Sequence, residues 1–546
     1  MKLDRIIKAK QIITLDDDHP TATSMGILHG RIVGFDEEIK ECTATAVDEF
    51  SDRVIVPGFV DAHCHTTWWG LGLNAIPLDR ARGLDELYDA IRNEAERLKD
   101  APLDQWIHGT GFNQKHHDEQ FPDIRILDEI TGDRPIYLRH TSGHAAITNS
   151  ATLRLLGALD ADFEDPVGGK IVRDEQGYPT GLVEEAAQSL IQSLLLPYSA
   201  TVIAEALGAA TTRYVAEGIT SFCEAGVGGG WIGHSPVELA GYQLAAATNQ
   251  LHCRATLMPA IDSLIEVTGD DRDFHETGSG RGVSLGIGSG FGDDRVRLGH
   301  VKAFMDGSLL GRTAAVTESF CGHEHSKGYL LDTPEQYREM VLSTYRVGWP
   351  IALHAIGDAA IDLALDLIEE CQNTYGMNRI MNRIEHFGIA RPDQVERAAK
   401  LKIAVTPQAS FTIPIGDQMM DRVGPERVGW LYRGRSLVDA GVLLAGSSDL
   451  PVAPNNVRVA MQSLVDRTTE RDQIMGADEA ITPEQALRSY TEWSAIAIGE
   501  IDDRGTLTPG KLADFVVMAD SPLTAERIDE IDIIATYVDG VEQYAA

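Results

Sequence analysis

The sequence is poor in lysine and rich in acidic residues, and this imbalance excludes one class of partner. It contains 12 Lys and 35 Arg against 83 acidic residues, which gives a net charge of −36. Nucleic acid attracts proteins of the opposite charge, so the composition argues against a nucleic-acid-binding protein. A Lys-poor acidic surface resembles that of proteins from salt-loving organisms, where salt screens the repulsion between like charges. We therefore expect a halophilic protein.

Long apolar runs and closely spaced cysteines are also missing. No segment approaches the roughly 20 consecutive apolar residues that a membrane-spanning helix needs. Residues 1–15 mix Lys and Arg with isoleucine, which favours a strand over a signal peptide. The six cysteines lie far apart without a Cys-x-x-Cys pair. This spacing favours a reduced, cytoplasmic protein over a disulfide framework. The missing apolar runs lead us to expect no membrane partner.

The middle of the chain alternates strand and helix patterns, and this order predicts the fold class. The eight predicted strands begin at Val54, Ile219, Cys253, Leu298, Pro350, Arg383, Ile403 and Val442. Eight strands that alternate with helices indicate an α/β protein of the (β/α)8 TIM-like barrel type. The active site of such a barrel lies at the carboxyl ends of the strands.

Both ends of the chain carry short strand patterns, one of which turns at His29-Gly30 as a hairpin would. We predict that residues 1–56 and 500–546 jointly form a small β-sandwich domain. The barrel would then occupy residues 57–499. A long insertion, about residues 70–200, follows the first barrel strand and is too patterned to be a bare loop.

The most informative stretch is Pro57-Gly-Phe-Val-Asp-Ala-His-Cys-His. On a strand, His63 and His65 face the same way while Cys64 faces the other way. Two imidazoles on one face can hold a divalent metal. A turn with two polar residues is the commoner interpretation of a lone His-x-His, but the apolar strand and the preceding Pro-Gly favour a metal site here.

Further polar residues lie at or near the ends of later predicted strands, where a barrel brings side chains together. The full set of candidate metal ligands is His63, His65, Lys302, His354, His386 and Asp449. Taken singly, each histidine fits a satisfied polar residue at a barrel rim. We expect the six together to form a metal centre.

Several motifs in this chain resemble those of the amidohydrolase superfamily. Within it the chain is similar to the amidohydrolase-3 group, which includes N-substituted formamide deformylase-like and YtcJ-like proteins. Besides the stretch that contains His63, the motifs are Ser142-Gly-His, Val301-Lys-Ala-Phe-Met-Asp-Gly-Ser, Leu353-His-Ala-Ile-Gly-Asp, Ile384-Glu-His and Gly446-Ser-Ser-Asp-Leu-Pro. The resemblance covers nearly the whole chain and says little about the substrate.

The resemblance implies a centre with two divalent metals, which we expect to be zinc. His63, His65 and Asp449 would hold one ion, and His354 and His386 would hold the other. An N6-carboxylated Lys302 would bridge the two ions. Asp449 would also act as general base and take the proton from the metal-bound water that becomes the attacking hydroxide.

The function that this resemblance implies is hydrolysis of a carbon–nitrogen bond in a small molecule, in an amide, N-acyl or N-formyl group. One alternative is a mononuclear aminohydrolase of a heterocycle, which would not use Lys302. Another is a metal-binding regulatory protein without turnover. The sequence leaves open whether the protein forms a homodimer.

Three more residues are candidates for contact with the substrate. His144 lies in a motif where an Asp more often stands at the position of Ser142. Asp306 and Arg312 follow Lys302 closely, and they could either reach a substrate or pair with each other. His116 and His117 stand among polar residues, and we expect them at the surface.

Overall fold

The computed structural model describes residues 1–73, 75–103, 105–140, 145–160, 162–166, 169–185, 187–229, 232–323, 325–454 and 456–546. The chain divides into two compact units. One comprises Met1–Thr67 with Ala210–Ala546, and the other comprises Trp68–Ala209.

The described strands alternate with helices through most of the chain. The strands are β1 (Lys2–Ile13), β2 (Thr21–Leu28), β3 (Arg31–Phe35), β4 (Thr43–Pro57), β5 (Phe59–Cys64), β6 (Ile76–Pro77), β7 (Ile107–Phe112), β8 (Ile136–His140), β9 (Ala145–Ile147), β10 (Gly169–Arg173), β11 (Pro179–Glu185), β12 (Ile219–Val227), β13 (Arg254–Pro259), β14 (Ile265–Thr268), β15 (Ser279–Gly282), β16 (Val296–Leu298), β17 (Val301–Phe304), β18 (Ile351–Ala355), β19 (Arg383–His386), β20 (Ala404–Thr406), β21 (Leu443–Leu444), β22 (Phe515–Met518), β23 (Ile533–Val538) and β24 (Val541–Ala545).

Two of the described helices begin at a capping box that the sequence supplies. Thr333 and Thr482 each cap a helix whose first residue is proline, with a glutamine completing the capping box. The helices are α1 (Thr66–Leu73), α2 (Leu84–Arg97), α3 (Ile124–Thr131), α4 (Ser150–Leu155), α5 (Gln188–Leu195), α6 (Ala200–Ala216), α7 (Glu238–Ala247), α8 (Asp273–Glu276), α9 (Pro334–Arg346), α10 (Asp358–Tyr375), α11 (Pro392–Leu401), α12 (Thr412–Val423), α13 (Arg435–Asp439), α14 (Val457–Asp466), α15 (Pro483–Ser489) and α16 (Glu492–Ala497).

Among the described residues, no single helix is both long and apolar enough to cross a bilayer. The bent pair α5 and α6 reaches that length and composition only when its two members are taken together.

The strands near both ends of the chain share one seven-stranded sheet, in the order β24-β23-β22-β4-β1-β2-β3. Pro57 of β4 pairs with Phe515 of β22, which joins the early strands to the late ones. The sandwich expected from the sequence is therefore one continuous sheet. The predicted hairpin turn at His29-Gly30 is confirmed, since Leu28 pairs with Arg31 across it.

All eight strands that the alternation predicts are present, and they lie in two parallel sheets. One sheet has the order β16-β13-β12-β5, and the other has the order β17-β18-β19-β20-β21. The strand expected from Leu298 to Asp306 is divided into β16 and β17. The reason is that β16 pairs with β13 whereas β17 pairs with β18.

The first predicted strand is also divided, at Gly58. Residues 54–57 pair with β22 in the terminal sheet, and only the residues after Gly58 pair with β12. A Cβ atom at position 58 would lie 2.2 Å from Thr220 Oγ1. Glycine is therefore the residue that lets the chain pass from one sheet to the other.

The two parallel sheets approach each other at their edges. The Ala62 N–H donates a hydrogen bond to the Gly446 carbonyl at 3.0 Å, just beyond β21. At the other edge, Ala260 and Lys302 form an isolated parallel bridge. Within the described ranges these contacts do not extend into one closed ladder of strands, and the architecture is a mixed α/β fold.

The unit Trp68–Ala209 has its own sheet and core. Its strands follow the order β10-β11-β9-β8-β7-β6. Apolar residues of α2, α3 and this sheet, among them Leu87, Ile91, Leu127 and Leu138, form a buried cluster. The segment expected as a long insertion is thus a folded unit.

A buried ion pair lies where β13 begins. The Arg254 guanidinium donates to both oxygens of Asp514, from Nε at 2.6 Å and from Nη2 at 2.9 Å, and also binds Asp539. Its Nη1 donates to the Asp294 carbonyl at 3.0 Å. Each guanidinium nitrogen therefore has an acceptor, and the pair ties β13 to the segments around β22 and β23.

Candidate metal centre

The carboxyl end of β5 presents His63 and His65 next to the segment that follows β21. Every residue of β5 is buried, as expected for a strand covered on both faces. The Asp449 N–H donates to the His63 carbonyl at 2.8 Å, and the His65 N–H donates to the Leu450 carbonyl at 2.8 Å. Two chain segments far apart in sequence are thus held side by side.

A buried carboxylate, Asp61, strengthens this junction. It accepts hydrogen bonds from the His63 N–H at 3.2 Å, the Ser448 N–H at 3.1 Å and the Ser448 hydroxyl at 2.5 Å. Burial raises the pKa of Asp61 to about 6. Asp61 therefore links the backbone segments that carry both histidines and Asp449.

The three predicted ligands at this junction converge. Asp449 Oδ1 lies 3.3 Å from His63 Nε2 and 3.2 Å from His65 Nε2. One ligand atom from each of the three residues lies within 4.8 Å of the others. Two imidazoles and a carboxylate are donors that suit zinc and similar divalent ions.

The other predicted ligands lie against this group. Lys302 Nζ is 3.5 Å from His63 Nε2 and 4.6 Å from the centre of the Phe304 ring. The His386 ring is centred 5.0 Å from that of His63, and the His354 ring is centred 4.3 Å from that of His386. The structure therefore brings all six predicted ligands into one buried cluster.

The ring nitrogens of two histidines indicate which atoms are free for a metal. His386 Nδ1 lies 2.6 Å from Gln408 Oε1, so Nε2 is the ring nitrogen that could bind a metal. His354 Nε2 lies 3.2 Å from the Gly307 carbonyl. His354 Nδ1 is buried, and no described residue makes a hydrogen bond with it. An orphaned buried nitrogen of this kind fits a ligand position.

His65, His386 and Asp449 are held in the protonation states that bind metals. Desolvation lowers the pKa of His65 to about 4 and that of His386 to about 3, so both are neutral at pH 7. Burial likewise lowers the pKa of Lys302 to about 8. It would raise the pKa of Asp449, but the contacts of this carboxylate with the His63 and His65 rings outweigh it and hold this pKa well below its usual range. Metal binding requires neutral imidazole and ionised carboxylate.

Two of the candidate ligands have a left-handed backbone. His386 has a φ of 72° and Asp449 a φ of 57°. Such conformations are uncommon for residues other than glycine, although Asp and His tolerate them better than most. They cluster at functional sites, where the surroundings hold them in place.

The candidate substrate contacts have different surroundings. Asp306 is 1% exposed. It accepts backbone hydrogen bonds from Ala315 at 2.9 Å, Ile356 at 3.0 Å and Gly357 at 2.8 Å. Its carboxylate, whose pKa burial raises to about 7, therefore holds the loops after β17 and β18 together and does not pair with Arg312.

The structure gives fewer contacts for the remaining candidate residues. Arg312 is half-buried, and its Nε has no hydrogen-bond partner among the described residues. Contact between Arg312 and a substrate stays a prediction. His144 lies outside the described residues. His116 is exposed as expected, but the surface prediction for His117 is wrong, since it is 2% exposed and stacks on Phe112.

Two residues that contact the candidate ligands, and an arginine that binds one of these two, were not predicted from the sequence. Glu385 binds His63 Nδ1, Arg383 pairs with Glu385 at 2.6 Å, and Gln408 binds His386. Burial would raise the pKa of Glu385, but the charge of Arg383 and the hydrogen bond with His63 outweigh it and hold this pKa well below its usual range. A signal existed, because charged residues at alternate positions of a buried strand need partners.

Comparisons with known proteins cover almost the whole chain. A sequence profile described as the amidohydrolase family matches residues 51–544. The protein YtcJ of Bacillus subtilis (strain 168) is 29% identical over 526 residues, which are 94% of this chain and 94% of that protein. The N-substituted formamide deformylase of Arthrobacter pascens is 28% identical and covers 99% of this chain and 98% of its own length.

A solved structure shows the same fold. The crystal structure of an uncharacterized metal-dependent hydrolase from Pyrococcus horikoshii OT3 matches with a TM-score of 0.76 at 23% sequence identity. The match covers 96% of this chain and 98% of that one. The mixed α/β architecture is therefore shared between the two proteins.

Proposed function

The chain belongs to the amidohydrolase family of metal-dependent hydrolases, and from this premise we propose that it hydrolyses a carbon–nitrogen bond in a small molecule. The bond would belong to an amide, N-acyl or N-formyl group. The observation that supports this most directly is the convergence of His63, His65 and Asp449 within 4.8 Å. The name of one relative, N-substituted formamide deformylase, describes a substrate of this class.

The donor set fits two divalent ions, which we take to be zinc. His63, His65 and Asp449 would hold one ion, and His354 and His386 the other. A carboxylated Lys302 would bridge them, because its buried amine has a lowered pKa and makes no ion pair with any described carboxylate. When bound, such ions act as Lewis acids and lower the pKa of water towards ~7.

The residues of the chain would handle the proton and the substrate. Asp449 is ionised at neutral pH, so its carboxylate can accept a proton from the attacking water and return it to the leaving nitrogen. Its Oδ1 lies 3.3 Å from His63 Nε2 and 3.2 Å from His65 Nε2, beside the nitrogens that would hold the ion. The 1% exposure of Lys302 and 0% exposure of His63 limit access of bulk water.

We also propose that the eight parallel strands form a (β/α)8 barrel. The contacts of Ala62 with Gly446 and of Ala260 with Lys302 support closure at the two edges. The candidate metal ligands would then lie at the carboxyl ends of the strands, where the active sites of such barrels lie. The terminal sheet would be a composite domain beside it.

One observation favours a second candidate, a mononuclear aminohydrolase that acts on a heterocycle. Lys302 Nζ lies over the Phe304 ring at 4.6 Å, an arrangement that suits an unmodified ammonium group. In that case Lys302 would not bridge two ions. The amount of metal bound per chain separates the two candidates.

The test combines metal analysis with a substrate screen. Metal-free protein is loaded with zinc in the presence of bicarbonate, and bound zinc is counted per chain. The loaded protein is then tested on N-formyl, N-acyl and cyclic amides and on amino-substituted heterocycles. We expect two ions and amide hydrolysis. One ion with ammonia release would favour the aminohydrolase, and full occupancy without turnover would favour a non-catalytic protein.

A further inference from the structure

Glu385 is a fully buried carboxylate that joins a candidate ligand to a fixed positive charge. It lies on β19 at 0% exposure and binds His63 Nδ1 with one oxygen, Oε2. Arg383 donates to Oε1 from Nε at 2.6 Å and to Oε2 from Nη2 at 3.0 Å. Both residues face the same side of the strand, since they are two positions apart.

Arg383 also contacts the strand that carries the histidine. Its Nη2 donates to the Ala62 carbonyl at 2.6 Å, one residue before His63 in β5. The guanidinium therefore holds the Glu385 carboxylate and the β5 backbone at the same time. This constraint fixes the position of the Glu385 oxygen that accepts a hydrogen bond from His63 Nδ1.

An ionised carboxylate can only accept hydrogen bonds, so the ring nitrogen that faces it must carry the proton. His63 Nδ1 is thus the N–H, and the lone pair lies on Nε2. That nitrogen is the one that lies 3.3 Å from Asp449 Oδ1 and 3.5 Å from Lys302 Nζ. Glu385 therefore selects the tautomer whose free nitrogen points into the cluster.

Two other histidines of the cluster also have second contacts, and their nearest acceptors are neutral oxygens, although His354 Nε2 also lies 3.5 Å from Asp306 Oδ1. His386 meets the amide oxygen of Gln408, and His354 meets the carbonyl of Gly307. A charged acceptor makes a stronger hydrogen bond and increases the basicity of the ring more than a neutral one does. His63 is therefore set apart by a carboxylate acceptor that lies within hydrogen-bonding distance and is itself bound by an arginine.

We propose that Glu385, held by Arg383, is a positioning residue that fixes the tautomer and orientation of His63 and so sets the affinity of the site for its metal. This inference rests on the proposed function only in requiring that His63 binds a metal. It does not depend on which carbon–nitrogen bond is cleaved.

The test compares Glu385→Gln with a matched control, Glu479→Gln. Glu479 is also a buried partner of an arginine, Arg433 at 2.6 Å, and it also accepts backbone N–H groups, but it contacts none of the candidate ligands by its described hydrogen bonds. Zinc affinity is measured by competition with a chromophoric chelator, and the visible spectrum of the cobalt-loaded protein reports the geometry at the metal. We expect Glu385→Gln to lower affinity by roughly 10–100-fold and to alter the spectrum. Glu479→Gln should change neither.

Equal zinc affinity and an unchanged cobalt spectrum in folded Glu385→Gln would overturn the proposal. Circular dichroism of the metal-free variant establishes folding. If that variant does not fold, Glu385→Asp keeps the charge beside Arg383 while withdrawing the carboxylate by one methylene. Wild-type affinity in that variant would overturn the proposal equally. Because affinity is read without substrate, a lack of amide hydrolysis would refute the proposed function and leave this result standing.

Discussion

Two buried polar clusters in the same unit differ in how fully their hydrogen-bonding atoms are used. Around Arg254 and Asp514, each guanidinium nitrogen and both carboxylate oxygens have partners. In the histidine cluster, by contrast, His354 Nδ1 has no partner among the described residues. Lys302 Nζ meets a ring nitrogen and an aromatic face, and no described carboxylate makes an ion pair with it.

The difference matches a structural role for the first cluster and the metal-binding role that we propose for the second. A buried polar group without a partner costs roughly 1–3 kcal/mol, so folding alone gives no reason to keep one. The Arg254 cluster is explained by the junction it makes between β13 and the terminal sheet. The donors of the histidine cluster match a divalent ion, which is the occupant that we propose for it.

The largest effect should follow from Asp449→Asn. Asparagine keeps the size of the side chain but cannot accept the proton, so we expect turnover to fall by roughly 10²–10⁴-fold. Zinc at the histidines should largely remain. Turnover and bound zinc are measured together, with the exposed Asp439→Asn as control. Near-normal turnover in Asp449→Asn would remove this residue from the mechanism.

The next effect concerns Lys302→Ala. If a carboxylated Lys302 bridges two ions, the variant should lose at least one zinc per chain and most activity, whereas the exposed Lys402→Ala should lose neither. A crystal grown with zinc and bicarbonate should show added density on Lys302 Nζ. A bare amine in such a crystal would leave the mononuclear candidate standing.

For the Arg254 cluster we expect the opposite result. A variant there should lose stability but keep its bound zinc. Asp514→Asn removes the more deeply buried of the two carboxylates that bind the Arg254 guanidinium, and breaking a buried ion pair costs up to roughly 3–5 kcal/mol. Denaturant unfolding measures this loss, and zinc content should stay at the wild-type value. A variant of unchanged stability that binds less zinc would contradict the distinction between the clusters.

The same variant has an expected pH dependence. Burial would raise the pKa of Asp514, but Arg254 outweighs it and the pKa is lowered. A lowered folded pKa means that the carboxylate stabilises the fold above about pH 4 and that this contribution is lost as the pH falls through the folded pKa. The stability of the wild type should therefore fall more steeply in acid than that of Asp514→Asn.

The smallest effect concerns salt and the charges outside both clusters. With a net charge of −36, the folded protein should become more stable well beyond physiological salt, because screening relieves repulsion between exposed acids. Buried pairs are screened much less, so wild type and Asp514→Asn should gain equally. A melting temperature that stays flat or falls from dilute buffer to molar KCl would refute the halophilic proposal.

Local patterns in the sequence were sufficient to predict the parallel strands and to identify the candidate ligands. The spacing of His63 and His65 specifies one face of a strand, and each predicted parallel strand is observed. Strand boundaries were less predictable, because Gly58 and the division at Gly299-His300 depend on which neighbour each segment pairs with. Such pairings join residues distant in sequence.

The partners of the ligands depend on the same long-range pairings. Nothing near Glu385 in the sequence shows that His63 lies beside it, since β19 and β5 belong to different sheets. Asp306 shows the opposite case. Its position near Lys302 suggested a polar contact with Arg312, but the backbone N–H groups of two loops occupy its oxygens instead.

The pairing of Pro57 with Phe515 has a consequence for synthesis on the ribosome. The segment Val54–Pro57 is apolar and buried in the finished protein, and its edge stays open until β22 has been translated. An open apolar strand edge is a template for pairing with other chains. A nascent chain that pauses before Phe515 should therefore aggregate more readily, or depend more on chaperones, than one that has passed it.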